Sequence, residues 1–410
     1  MLDADHREPG LGEPAGGLLA ADAETDDDDV DLLRFTHGAS FPPIAGTVRD
    51  VPEELWTTGW VAPGYEPVRE AFAQHASGGS ALCVLRGDTV VVDLREGWRD
   101  PGRTRRWDAR TLVNVYSVGK PVIAAAVLLL AERGLLDLDD PVARHWPQFR
   151  TGASVRQVLT HTSGLAVFPV PRGPGAWSDW DLLCGDLAAA SPEWPPGTVA
   201  AEHALTYGHL LGEIVRRITG RAPGAFVAEE IAGPWRLDLA FGVAAADLDR
   251  CADLEYGGPG WPERMEPGSV RARALANPGG SREPAVVNGE AWRRAVVPAV
   301  NLHATAEAVA RFYAGLLNGG ELDGHRLLSR ASVDEMTRAQ FTGFDHFIGA
   351  ETTWGLGVQR ESDGTWGMGG LGGNAGWADP ARGHAIAYVT RRLGDFDRVT
   401  AIDAAISSVD

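Results

Sequence analysis

The chain begins and ends on the same kinds of element and changes character between them. Tyr65–His75 has helical spacing, with Val68, Ala71 and Phe72 on one face. Ala81–Leu85 and Thr89–Leu94 are apolar or β-branched runs around a turn at Gly87–Asp88, the pattern of a hairpin. A further strand is expected at Leu112–Val115, followed by an apolar helix over Pro121–Arg133 with Gly134 placed to end it. Then Trp, Pro and Gly punctuate short helical pieces: Ser154–Thr160, Leu205–Thr219, Phe226–Ile231 and Ala304–Asn318. Strand signals return at Thr353–Gln359 and His384–Thr390, and Asp395–Ser407 closes the chain as an amphipathic helix. The order predicts one α/β layer from residues 51–135 and 311–410, with a mainly helical domain, 136–310, inserted between them.

Composition excludes several classes. Apolar residues make up 44% and charged residues 23%, the balance of an ordinary globular protein. The longest strongly apolar run, Val122–Ala131, is far short of the ~20 residues that span a bilayer. Met1–Glu13 holds acids and glycines where a signal peptide needs a basic patch and an apolar run, so a soluble, cytoplasmic protein is expected. Residues 1–31 carry eleven acids and one arginine, or −10 of the net −19. Residues 1–50 therefore read as an acidic, disordered tail, or as a docking segment anchored by Leu32, Leu33 and Phe35. The mildly acidic remainder offers no basic patch for nucleic acid. Cys83, Cys184 and Cys251 are too few and too scattered for a disulfide framework or a metal site. His203 and His209 do not form a compact ligand set, and no metal is expected. Gly367-x-Gly369-x-x-Gly372 matches a dinucleotide fingerprint in form, but Gly373–Pro380 offers turn and strand where a helix is needed. Trp56, Trp60, Trp177, Trp180, Trp194 and Trp377 are expected to pack the helical domain and cleft walls.

The chemistry concentrates at Tyr116-Ser117-Val118-Gly119-Lys120, a Ser-x-x-Lys at a strand-to-helix junction. Positions i and i+3 share a helix face, so the ammonium can reach the hydroxyl. A serine hydroxyl is a weak nucleophile until a neighbour accepts its proton. A lysine serves only if burial or nearby positive charge lowers its pKa. On its own, the motif reads equally as a capping serine with a solvated lysine.

Further segments follow in order: Gly134–Val142 (GLLDLDDPV), Val155–Leu165 (VRQVLTHTSGL), Pro195–Gly212 (PPGTVAAEHALTYGHLLG) and Trp366–Pro380 (WGMGGLGGNAGWADP). In this order and spacing the chain, from about Val51 onward, resembles the β-lactamase-like serine hydrolases, the group of class C β-lactamases, penicillin-binding proteins and family VIII esterases. The resemblance implies an α+β fold: an antiparallel sheet flanked by helices, an inserted all-helical domain, and the active site between them. It implies Ser117 as nucleophile and Lys120 as its proton partner. It places Tyr116, His203, Met368, Gly369 and Gly370 as substrate-binding residues, and the backbone N–H groups of Ser117 and Leu371 as the oxyanion hole. His161 is implied to be structural.

Two motifs depart from the family pattern. Relatives carry a tyrosine a few residues after Pro-Gly-Thr, and that slot here holds Glu202; Tyr207 falls where relatives have a structural aromatic. Glu202 reads either as a replacement proton acceptor or as a solvated rim residue of a decayed motif. Relatives carry Lys or His before the edge-strand glycines, and Met368 stands there, unable to donate a hydrogen bond or carry charge. The function expected is acyl transfer through Ser117 with Lys120 and Glu202, acting on a small ester or amide without a cofactor. Transfer to a second acyl acceptor, or a binding protein with a silent site, are the rival readings.

Overall fold

A computed structural model describes residues 57–258 and 261–409. The expectations for the acidic tail and for Trp56 lie outside the described residues.

A nine-stranded, fully antiparallel sheet organises the structure. Its spatial order is Thr58–Val61, Thr89–Gly97, Gly79–Arg86, His384–Thr390, Asn374–Asp379, Trp366–Gly370, Gln359–Arg360, Ala350–Trp354 and Phe341–Asp345. Strands from before and after the middle segment meet within the sheet, where His384–Thr390 pairs with Gly79–Arg86. Side chains alternate along each strand and feed two cores. Leu82, Val84, Ile386 and Tyr388 face the helices Glu66–Gln74 and Asp397–Ser407. Ala81, Cys83, Leu85, Ala385, Ala387 and Val389 face the larger core, which holds the helices Lys120–Glu132 and Ala306–Leu317. Small residues on that face let a helix come close. A Cβ on Gly376 would lie 2.6 Å from the Tyr313 ring.

The expected hairpin and the flanking helices form within a few residues of their expected ends. The helix Lys120–Glu132 has no polar face, because every residue from Lys120 to Leu130 is buried. It packs between the sheet and the helix Tyr207–Thr219, so it is covered all round. The helix expected at Phe226–Ile231 begins earlier, at Pro223, which suits the first helical turn because it has no N–H to leave unpaired. The extended run expected at Thr353–Gln359 is instead two strands, Ala350–Trp354 and Gln359–Arg360. They are separated by a turn whose Gly357 has a positive φ of 80°.

The middle segment is mainly helical, but it contains three short strands that few apolar alternations announce. Leu302–Ala304 pairs on one side with Val113–Asn114 and on the other with Leu239–Phe241, and Glu255–Tyr256 runs parallel to Arg392–Leu393. Each is two or three residues long, too short for a period-2 pattern to be visible in sequence. These strands tie residues 136–310 to the segments around them. Val115 and Tyr116 connect the Val113–Asn114 strand to Ser117. Cys83, Cys184 and Cys251 are free and buried. Among the described residues no helix is long and apolar enough to cross a membrane.

Candidate active site

Ser117 starts a single 3-10 turn, Ser117–Gly119, that runs into the helix Lys120–Glu132. The chain reaches it through Tyr116, held at φ +51°, a region that bulky side chains rarely occupy. Its ring is buried and its hydroxyl donates to the Ser281 carbonyl at 3.1 Å, which holds the backbone in that conformation. Gly119 is required at the next turn, since a Cβ there would lie 2.7 Å from Leu302.

One helical turn later, the Lys120 Nζ donates to Ser117 Oγ at 2.6 Å and to Glu202 Oε1 at 2.8 Å. Lys120 and Glu202 have no exposed surface at all. The reading of a solvated lysine is thereby excluded, and so is Glu202 as a solvated rim residue. Burial pushes the Lys120 pKa down, and the Glu202 carboxylate opposes that shift only in part.

Glu202 is held from behind. Its backbone N–H donates to Asp345 Oδ1 at 3.1 Å. The same oxygen accepts from the N–H groups of Phe347 and Ile348, each at 2.9 Å, and Trp354 Nε1 donates to the other oxygen at 3.0 Å. Asp345 ends an edge strand of the large sheet, so the sheet sets the position of a residue that belongs to the helical segment. Nothing in the local sequence around Asp345 signals this role.

Ser117, Glu202 and Leu371 wall one cavity, together with Tyr116 and Ser281. Leu205, Leu275, Val300 and Phe347 make much of the rest apolar. Leu371 follows Gly370 into a tight turn in which Gly372 and Gly373 take φ of 86° and 90°. Gly370 has no room for a side chain, because a Cβ would sit 2.2 Å from the Val115 carbonyl. That close approach keeps the turn against the Ser117 turn.

A family profile described as Beta-lactamase matches residues 66–409. The chain belongs to the beta-lactamase family. Esterase/beta-lactamase LipL of Mycobacterium tuberculosis (strain ATCC 25618 / H37Rv) is 35% identical over 364 residues, covering 82% of this chain and 83% of that protein. A family VIII carboxylesterase of known structure is 30% identical with a TM-score of 0.79, covering 87% of this chain and all of that one. A penicillin-binding protein homolog from Caulobacter crescentus is 33% identical with a TM-score of 0.79, covering 86% of this chain and all of that one. The β-lactamase/transpeptidase-like fold implied by the ordered motifs is the fold of this family, and esterases among its relatives support a serine hydrolase.

Other residues expected at the site lie elsewhere. His203 does not wall the cavity. Its Nε2 bonds Ser163 Oγ at 2.6 Å and its Nδ1 bonds the Ala201 carbonyl at 2.8 Å, so both ring nitrogens are engaged in the protein. Burial pushes its pKa down to about 4 and keeps it neutral. Met368 is fully enclosed within its strand and also stands outside the cavity wall, as do Gly369 and Gly370. Met368 pairs with Gly376, on the sheet face covered by Tyr313. His161 packs at a tilt against Tyr207 and edge-on to Trp354 and accepts from the His203 backbone N–H, a packing role. Tyr207 donates to the Leu159 carbonyl at 3.2 Å, likewise as structure. Among the described tryptophans, Trp177 and Trp377 are buried packing residues, whereas Trp60 is exposed. Sequence reasoning missed Arg271, Phe347 and Ser281 on the cavity wall, since they sit in loops and a short helix with no motif of their own. Among the described residues no cluster of three or more His, Cys, Asp or Glu could hold a metal ion.

Proposed function

We propose that this protein is a serine hydrolase that cleaves a small ester or amide through a Ser117 acyl-enzyme. The observation that carries the reading is the buried chain of contacts from Ser117 Oγ through Lys120 Nζ to Glu202 Oε1, at 2.6 and 2.8 Å. Relatives named as esterases, LipL and the family VIII carboxylesterase, support it.

In this reading Ser117 Oγ attacks the carbonyl carbon. The serine proton moves to Lys120 Nζ as Lys120 releases one to Glu202, so the pair gains one positive charge that balances the negative charge developing on the carbonyl oxygen. Charge developing on the carbonyl oxygen is met by the N–H groups of Ser117 and Leu371. Collapse of the tetrahedral intermediate breaks the bond to the leaving alcohol or amine, which takes the proton back. Water then attacks the acyl-enzyme by the same route in reverse roles. The apolar wall of Leu205, Leu275, Val300 and Phe347 favours a second reading, in which an alcohol or amine acceptor outcompetes water for the acyl group.

The test is turnover of p-nitrophenyl butyrate with and without a primary alcohol. Wild-type protein releases p-nitrophenol, and Ser117→Ala does not. The product, acid or new ester, separates hydrolase from transferase. Release that survives in Ser117→Ala moves the nucleophile elsewhere, and none from the wild type favours a binding protein.

A further inference from the structure

Tyr116, Ser117 and Ser281 each bring a hydroxyl to the wall of the cavity. Lys120 Nζ donates to Ser117 Oγ, and the Tyr116 hydroxyl donates to the Ser281 carbonyl. Ser281 is only 2% exposed, and among the described residues its hydroxyl has no hydrogen-bond partner. A buried hydroxyl left unpaired is costly unless the chemistry of the site satisfies it. The backbone fixes where this hydroxyl stands. Behind it, Asn277 Nδ2 donates to the carbonyls of Phe168 and Val170 at 2.8 and 2.9 Å, and Asn277 Oδ1 accepts from the Arg172 N–H at 2.8 Å. Trp177 Nε1 donates to the Gly279 carbonyl at 2.9 Å. In front, the Ser281 carbonyl receives Tyr116, the residue before the nucleophile, so this loop and the Ser117 turn keep one spacing. The space they wall is about 360 Å³, at the small end of the roughly 300–1,000 Å³ of ligand pockets. A molecule bound at Ser117 is therefore within reach of Ser281. The remaining wall of Leu205, Leu275, Val300 and Phe347 offers no side-chain hydrogen bond and suits an acyl chain.

From this fixed, unpartnered hydroxyl on the wall it shares with Ser117, we infer that Ser281 Oγ holds the water that resolves the acyl-enzyme, and so selects water over alcohols as the acceptor. The inference rests on the proposed Ser117 acyl-enzyme. An attacking water has two O–H groups. One proton passes to the Lys120–Glu202 pair as the oxygen bonds the acyl carbon. The other O–H donates to Ser281 Oγ, which aims the oxygen at that carbon. The bond from the carbon to Ser117 Oγ then breaks, and the proton held by the pair returns to Oγ. Ser281 keeps its own proton throughout. An alcohol has a single O–H, which the pair takes, and has none left for Ser281.

The experiment is the partition of p-nitrophenyl butyrate between butyrate and methyl butyrate in water containing methanol, read by gas chromatography. That ratio is set after acylation, so it does not depend on how fast the acyl-enzyme forms. Ser281→Ala should raise methyl butyrate over butyrate at least ~10-fold above wild type. Its melting temperature should stay within about two degrees, because Oγ makes no hydrogen bond to the described residues. Ser281→Cys fills the same space with a weak acceptor and should raise the ratio as well. An unchanged or lower ratio in Ser281→Ala would overturn the inference. So would a wild-type ratio in Ser281→Cys, which would trace the effect to space and not to the hydrogen bond. No p-nitrophenol release from the wild type sinks the Ser117 reading and this inference with it, whereas release with one partition in all three proteins sinks only the role of Ser281.

Discussion

Replacing Glu202 by glutamine is the substitution that most sharply probes the proton path. The amide keeps the shape of the carboxylate and removes its charge, leaving Lys120 in a site with no exposed surface. At 2.8 Å the attraction being removed is about 6 kcal/mol at an effective dielectric of 20. Breaking a buried pair typically costs about 3–5 kcal/mol of stability when the surviving charge must stay. Lys120 can avoid much of that by releasing its proton, because burial already pushes its pKa down and the opposing carboxylate is gone. The penalty for keeping it charged is absent above the ordinary lysine value of 10.5 and grows as pH falls toward the folded-state pKa. Glu202→Gln should therefore gain thermal stability as pH rises from neutral toward 10.5, more steeply than wild type does. Its acylation by a fluorophosphonate should slow at least ~100-fold at pH 7, a barrier increase of about 2.7 kcal/mol. Mass spectrometry against time gives the rate and differential scanning fluorimetry gives the stability. An unchanged rate with an unchanged pH profile of stability would refute the view that Glu202 receives the proton.

Asp345→Ala leaves four buried N–H groups, those of Glu202, Phe347, Ile348 and Trp354, without their acceptor. At about 1–3 kcal/mol each, it should lower the melting temperature by 10 °C or more, and a shift of a degree or two would mean that the network is dispensable. Gly370→Ala puts a Cβ 2.2 Å from the Val115 carbonyl, so the Leu371 turn must move. The variant should fold but lose at least ~100-fold in acylation rate, and a wild-type rate would remove Leu371 from the oxyanion hole. His203, at about 4, and His209 and His303, at about 3, are buried neutral. Each is charged more readily in the unfolded chain, so stability should fall as pH drops from 6.5 toward 3. His203 alone would account for up to roughly 3 kcal/mol, and a melting temperature constant across that window would contradict its neutrality.

The elements that bury a continuous face were legible in sequence, and the residues that act across the chain were not. Pro121–Arg133 reads as a helix because its apolar run ends on a glycine, and His384–Thr390 reads as extended; in the sheet its residues alternate between two cores. The proximity of Ser117 and Lys120 follows from helical spacing alone. That Glu202 completes the chain depends on segments 82 residues apart meeting, which only the ordered motifs imply. Met368 and His203 show the limit of carrying a motif over by position. Both stand in the expected segments, yet one is enclosed in the sheet and the other is engaged by Ser163 and Ala201. Arg271 and Asp345 carry no local pattern, since a single charged residue in a loop or short helix looks the same whether it faces solvent or a cavity.

The central claim is that Ser117 becomes covalently acylated, and one measurement addresses it directly: peptide mapping of protein treated with an alkyl fluorophosphonate. A single adduct on the peptide that contains Ser117, absent from Ser117→Ala and slowed by orders of magnitude in Lys120→Ala, is the expected result. An adduct on any other residue, or none in the wild type under conditions that label other serine hydrolases, would contradict it.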